Sequence, residues 1–260
     1  MRLNAQSPPG GVSQLGPGSR EHVPRRPPLS RRLATAARWP LGVGLTSWRY
    51  MWRTTPMRRQ EVDGSLPQDE PRSLSTTVDP AEMQTPQHGV GPLFHRRYRI
   101  HIRDSSMSPR QLMDRVREDP DRVAPSEFAS FQKVHGRAGG MERGDEYVVR
   151  MPGPWDGPVR VAELTPTSFR LVTLEGHLEA GQIEFRALSD GELVVFEIES
   201  WARSGDRLSD LLYDRLRMSK EIQLHMWTST LERIAKLSGG RRTGAIAIET
   251  RKVPAEAFDG

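Results

Sequence analysis

The sequence predicts an α+β domain, a curved antiparallel sheet of about six strands around one long C-terminal helix, preceded by a disordered basic extension. Three observations predict it. Residues 206 to 238 contain no glycine or proline and run straight into Gly239 and Gly240, the pattern of a long helix with a glycine stop. Upstream, strand-like runs follow one another across short turn signals, so antiparallel pairing is the default. Residues 1 to 60 hold 11 Arg and one acid, Glu21, a charge of +10; since the whole chain is +5, residues 61 to 260 carry 5 − 10 = −5. The basic character therefore belongs to the front of the molecule and not to its folded part.

Residues 1 to 37 are rich in Pro, Gly, Ser and Arg and lack the apolar surface needed to offset ordering entropy, so disorder is expected. From 38 to 59, Leu41, Leu45, Trp48 and Trp52 fall on one helical face with Arg49 and Arg53 beside it, predicting a short amphipathic helix. Residues 60 to 90, with Pro67, Pro71, Pro80 and Pro86, read as a linker. The domain is expected over 91 to 240, with a tail at 241 to 260. In FHRRYRIHI, Phe94, Tyr98, Ile100 and Ile102 share one face of a strand, against His95, Arg97, Arg99 and His101. Ser108 before Pro109 starts a short helix buried through Leu112, Met113 and Val116, and Ser126 opens a second through Phe128 and Phe131 towards Gly136. Strands are expected at 146–151, 158–164, 168–174, 182–188 and 192–202. On the final helix, Leu208, Leu212, Ile222, Met226, Ile234 and Leu237 form a stripe that Leu211, Trp227 and Leu231 widen.

The element order is strand, two helices, a meander of about five strands and one long helix. In this it resembles the helix-grip superfamily, also called START and Bet v 1-like. The segments GHLEAGQIEF at 176 to 185 and VVFEIESWARSGDRL at 194 to 208 resemble an uncharacterised bacterial domain-of-unknown-function family. The resemblance covers roughly residues 93 to 238. It implies a sheet gripping the long helix and a cavity between them suited to a lipophilic or aromatic small molecule. The superfamily includes lipid carriers, hormone receptors, polyketide cyclases and chaperone cofactors, so the fold alone assigns no chemistry.

Candidate site residues follow from where such a cavity would open. On the last strand Val194, Phe196 and Ile198 alternate with Val195, Glu197, Glu199 and Trp201. One reading puts Glu197 and Glu199 on a solvated convex face, paired with arginines such as Arg186. The other turns them inward as acid and base, with His177 as a third catalytic candidate, in a cyclase-like or hydrolase-like enzyme. Ligand contacts are expected from Trp155, His177, Glu197, Trp201, Arg203, Ile222, His225 and Met226. Each has a plainer reading: His177 as a turn histidine, Trp155 as surface packing, Arg203 as a tie between strand and helix, and His225 as a structural residue. His177 and Glu179 lack a third ligand of defined geometry, so neither metal nor cofactor is expected. A third class of function is a structural or partner-binding module whose cavity its own side chains fill.

Zero cysteines remove disulfides, thiolate metal sites and a cysteine nucleophile from consideration. No run of eighteen apolar residues exists, so no membrane span is expected. Arg31 and Arg32 before LATAARWPLGVGL resemble a twin-arginine signal that Arg38 and Pro40 interrupt, and a cytoplasmic location is expected. Residues 38 to 59 admit peripheral contact with acidic membrane, docking on the protein's own domain, or salt-sensitive nucleic-acid binding, the last being the least favoured.

Overall fold

The computed structural model describes residues 56–74, 80–125, 129–150, 156–205 and 218–258. The extension expected to be disordered, the Trp-rich stretch through residue 55, Trp155, and the expected helix start at Asp206 lie outside these residues. The described elements are β1 (Met57–Asp63), β2 (Val90–Arg103), α1 (Pro109–Glu118), β3 (Ser130–His135), β4 (Glu146–Arg150), β5 (Asp156–Thr165), β6 (Ser168–Thr173), β7 (Glu179–Asp190), β8 (Leu193–Ser204), α2 (Met218–Leu237) and β9 (Arg241–Val253). They build one sheet of nine strands in the order β1-β9-β2-β8-β7-β6-β5-β4-β3. Every described pairing is antiparallel except β1 with β9, which is parallel. Register shifts in β2, β3 and β5 mark bulges, the local device that bends and twists a strand.

The strand count exceeds the expected six for three local reasons. Residues 241–253, read as a tail, form β9, whose Ile246 and Ile248 are buried while Ala245 and Ala247 between and before them are exposed. Residues 57–63, assigned to the end of a helix and a linker, form β1 along β9. The expected second short helix is replaced at its C-terminal half by β3, and Phe131 N–H is held by the Asp121 carboxylate. The described helix α2 is therefore followed by a strand that returns to the sheet.

The apolar alternation decides which face meets α2. Tyr98, Ile100 and Ile102 of β2, Phe169 and Leu171 of β6, Phe185 and Ala187 of β7, and Phe196 and Ile198 of β8 join one core. From α2, Leu224, Leu231, Ile234 and Ala235 complete it, with Trp227 and Leu237 partly buried against it. Phe185 stacks on Phe169 at 4.6 Å and meets Trp227 edge-on at 5.8 Å. The helix ends as its glycines require. Gly239 has φ 74°, and Ser238 O accepts from the backbone N–H and the hydroxyl of Ser106 at 2.9 and 2.8 Å. The α1 start is a capping box: Ser108 Oγ accepts from Gln111 N–H, and Gln111 Oε1 accepts from Ser108 N–H. Leu112, Met113 and Val116 are its buried side, as expected.

The stretch expected as a linker is docked on the outer face of the sheet, away from α2. Its carbonyls accept from outward side chains, Arg72 O from Gln182, Ser73 O from Arg170 and Ala81 O from Arg160, and at the end of β6 Gln84 O accepts from the Thr173 hydroxyl. Leu66 packs with Leu93, Trp201 and Val253, and Leu74 and Met83 pack on Ala162 and Val172. This strap converts a solvated face into an interior.

The β3–β4 connection is ordered by a cation. Lys133 Nζ donates to the carbonyls of Arg137, Gly139 and Gly140 at 2.9, 3.3 and 2.7 Å and to Asp145 Oδ2 at 2.6 Å. Asp145 is buried, so removing the ammonium leaves a carboxylate and three carbonyls facing one another. Lys133→Met is expected to lower the unfolding free energy by about 1–3 kcal/mol in urea titrations. An unchanged midpoint would show that the loop holds without it.

Candidate ligand-binding site

The register sorts the sequence-predicted residues between two faces. On the outer face, β2, β8 and β7 align His95–Trp201–Gln182, Arg97–Glu199–Glu184 and Arg99–Glu197–Arg186. Glu197 and Glu199 are 1 % exposed each, yet they do not face the helix. Arg99 binds Glu197, and Arg186 reaches both Glu197 and Glu199. Arg97 Nη2 lies 2.6 Å from Glu199 Oε1, and His95 Nε2 2.9 Å from the same oxygen. The other ring nitrogen of His95 lies 2.8 Å from Asp69 Oδ1 of the strap, and the ring stacks on Trp201 at 5.0 Å. Burial alone would raise the Glu199 pKa; the hydrogen bonds from His95 and Arg97 and the charge of Arg186 outweigh it and hold the carboxyl at about 2.

Thus the reading that paired these carboxylates with Arg186 has the right partner and the wrong environment. They are locked beneath the strap, on neither a solvated face nor the helix side. Trp201 shares that face, so it and the two glutamates stand apart from the expected cavity. Arg203 also points outward: it donates to Gly91 O at 2.8 Å and Pro86 O at 3.3 Å, tying β8 to the start of β2 and to the strap.

His177 lies half-buried in the turn between β6 and β7. Its Nδ1 accepts from the Glu179 backbone N–H at 2.9 Å, which leaves the proton of the neutral ring on Nε2, and burial pushes its pKa below the ordinary value. On α2, His225 is buried, and Met226 packs beside Ala124 and Ala129, away from the main core. The Ile222 side chain and Trp155 lie outside the described residues. Among the described residues, Glu197, Trp201 and Arg203 stand on the outer face, apart from His225 and Met226 of α2.

What the fold does bring together is a graded inner face. Two cross-strand rows, Ile100–Phe196–Ala187 and Tyr98–Ile198–Phe185, are large and buried. The next two, Arg96–Ser200–Ile183 and Phe94–Ala202–Gly181, contain small or polar groups. Ser200, Ile183 and Phe94 are half-buried, as are Trp227 and Gln223 of α2 above them. Gly181 cannot be larger, because a Cβ there would lie 2.0 Å from the Trp201 carbonyl oxygen. Arg96 is buried, with its guanidinium 4.6 Å from the centre of the Phe94 ring. Arg96 Nη1 donates to Gln223 Oε1 at 3.1 Å, and Gln223 Nε2 donates to Glu179 Oε1 at 2.6 Å.

A comparison with known families matches residues 88–232 to "Domain of unknown function (DUF1990)", more than half of the chain. The chain belongs to this family. No match was found among curated proteins. Among solved structures, the chain is similar to a conserved protein from Geobacillus kaustophilus at 13 % identity, covering 57 % of this chain and 98 % of that one, with a TM-score of 0.40. It is similar to norcoclaurine synthase from Thalictrum flavum at 12 % identity, covering 64 % and 95 %, with a TM-score of 0.41. Major latex-like protein 151 from Panax ginseng is similar at 12 % identity, covering 55 % and 97 %, with a TM-score of 0.39. Likeness of this degree carries no argument about function; the architecture rests on register and helix packing.

The DUF1990 region contains Arg96, Glu179, Ser200 and Gln223 together with the buried carboxylates. It excludes Asp69, β1 and β9, so nearly all of the strap and one sheet edge lie outside the family match. Sequence reasoning missed Arg96, Ile183, Ser200 and Gln223. One signal was present for Arg96. It occupies the apolar register of FHRRYRIHI, between Phe94 and Tyr98, and is the residue that breaks the alternation.

Proposed function

We propose that this DUF1990 protein binds a lipophilic or aromatic small molecule on the inner face of the sheet, beneath Gln223 and Trp227, without performing chemistry on it. One observation carries the reading. Along the inner face of β8, fully buried Phe196 and Ile198 give way to half-buried Ser200 and then Ala202, so the floor loses bulk where the helix above presents Trp227 and Gln223. A concave apolar wall with a few polar groups is the usual form of a small-molecule site. Phe94, Ile183 and Trp227 supply the wall; Arg96, Gln223 and Glu179 supply the polar end. The acid–base alternative finds less support, because Glu197 and Glu199 are committed to arginines on the opposite face.

Native mass spectrometry of the full-length protein, purified without detergent, is the direct test, and a bound species of stoichiometric mass is expected. Ser200→Trp fills the floor between Arg96 and Ile183 and is expected to weaken retention of that species at least tenfold. Its melting temperature checks that the sheet survives. Full retention in a folded Ser200→Trp protein would move the site elsewhere.

A further inference from the structure

We propose that the molecule bound at this site carries, at its polar end, a hydrogen-bond acceptor beside a hydrogen-bond donor, as a carboxamide or a lactam does. The inference rests on the small-molecule reading above and adds the chemistry of the head group. It comes from what the Gln223 side chain occupies. A guanidinium can only donate and a carboxylate can only accept, so the orientation of the Gln223 amide is fixed: its oxygen faces Arg96 at 3.1 Å and its nitrogen faces Glu179 at 2.6 Å. The protein thus holds a paired donor and acceptor that read an amide edge, and its own amide fills the pair.

The reading groups come from two strands of the sheet, and the amide comes from the helix. Arg96 is buried on β2 and its guanidinium is held against the Phe94 ring; Glu179 opens β7. Gln223 is half-buried and reaches from α2 to Arg96, whose cross-strand row also holds Ser200 and Ile183. A ligand amide that displaces it keeps both hydrogen bonds and adds the burial of its apolar body over Ser200 and against Trp227. A carboxylate in the same place meets the Glu179 charge, and an ammonium meets that of Arg96. Each ion is attracted by one member of the pair and repelled by the other and leaves one hydrogen bond unmade, whereas the neutral amide makes both without repulsion, so the pair favours the amide over either ion.

The test uses full-length protein, parent and Gln223→Ala, titrated calorimetrically with four probes that share one ring: benzamide, benzoate, benzylamine and toluene. In Gln223→Ala, benzamide is expected to bind at least tenfold tighter than to the parent and at least tenfold tighter than benzoate or benzylamine. Adding Glu179→Gln to Gln223→Ala is expected to reduce the preference for benzamide over benzoate at least fivefold, because the repelling charge is gone. Equal affinity for all four probes, or tighter binding of either ion to Gln223→Ala, overturns the head-group inference and leaves the small-molecule reading standing. Failure of every probe, toluene included, together with no bound species in native mass spectra, overturns both.

Discussion

Glu199→Gln is expected to lower the unfolding free energy by about 3–5 kcal/mol, the scale for removing one partner from a buried ion pair. The side chain keeps its volume, so no cavity contributes. What changes is that His95, Arg97 and Arg186 lose a charged acceptor that is 1 % exposed, while their own desolvation remains. For a domain of this size, about 2–4 °C accompany each kcal/mol, so a fall in melting temperature of about 6–20 °C is expected. Glu249→Gln is the control. Glu249 bonds Arg251 at 2.7 Å but is 31 % exposed, and solvent reduces such a pair to about 1 kcal/mol or less. If the two variants melt together, the outer-face ladder contributes no more than a surface ion pair.

The same carboxyl is expected to make the protein acid-sensitive. Its folded pKa of about 2 lies below the ordinary 4.5, so its contribution is fully present above about pH 4.5 and is lost as pH falls from there towards 2. The gap corresponds to about 3 kcal/mol at 1.36 kcal/mol per pH unit. Urea titrations at intervals from pH 6 to pH 2.5 should show unfolding free energy declining through that window. The decline should be shallower in Glu199→Gln, which has no proton to take up there. Parallel curves for the two proteins would place the acid-sensitive group elsewhere.

The strands β2 and β5 to β8 were legible because apolar and charged side chains alternate along them and glycine or proline separates them. The strand β9 was hidden by position and by charge: it follows a helix stop, and Arg241, Arg242, Arg251 and Lys252 surround a core contribution of Ile246, Ile248 and Val253. The strap was hidden because prolines and polar residues resemble a linker, and its grip is made through backbone carbonyls, which no residue pattern displays. Glu197 and Glu199 illustrate a different limit. Alternation separates them from Phe196 and Ile198, but only register brings Arg97 to Glu199 and Arg99 to Glu197. The graded inner face was likewise beyond reach, since the Arg96–Ser200–Ile183 row joins the β7–β8 hairpin to β2, which β3 to β6 separate from it in the chain.

The placement of β2 and β1 also dictates an order of events during synthesis. The long strand β2 is flanked only by β8 and β9, and β1 only by β9 among the described strands. When β2 leaves the ribosome its first partner has not yet been made, and Met57 must wait for Ile246, 246 − 57 = 189 residues later. Two early strands, one of them carrying Tyr98, Ile100 and Ile102, are therefore held with open edges while the meander from β3 to β8 forms behind them. Closing such distant ends is slow, because loop entropy is lost before any pairing compensates for it. The nascent chain meets its greatest risk of mispairing in that interval, and β9 is the strand that ends it.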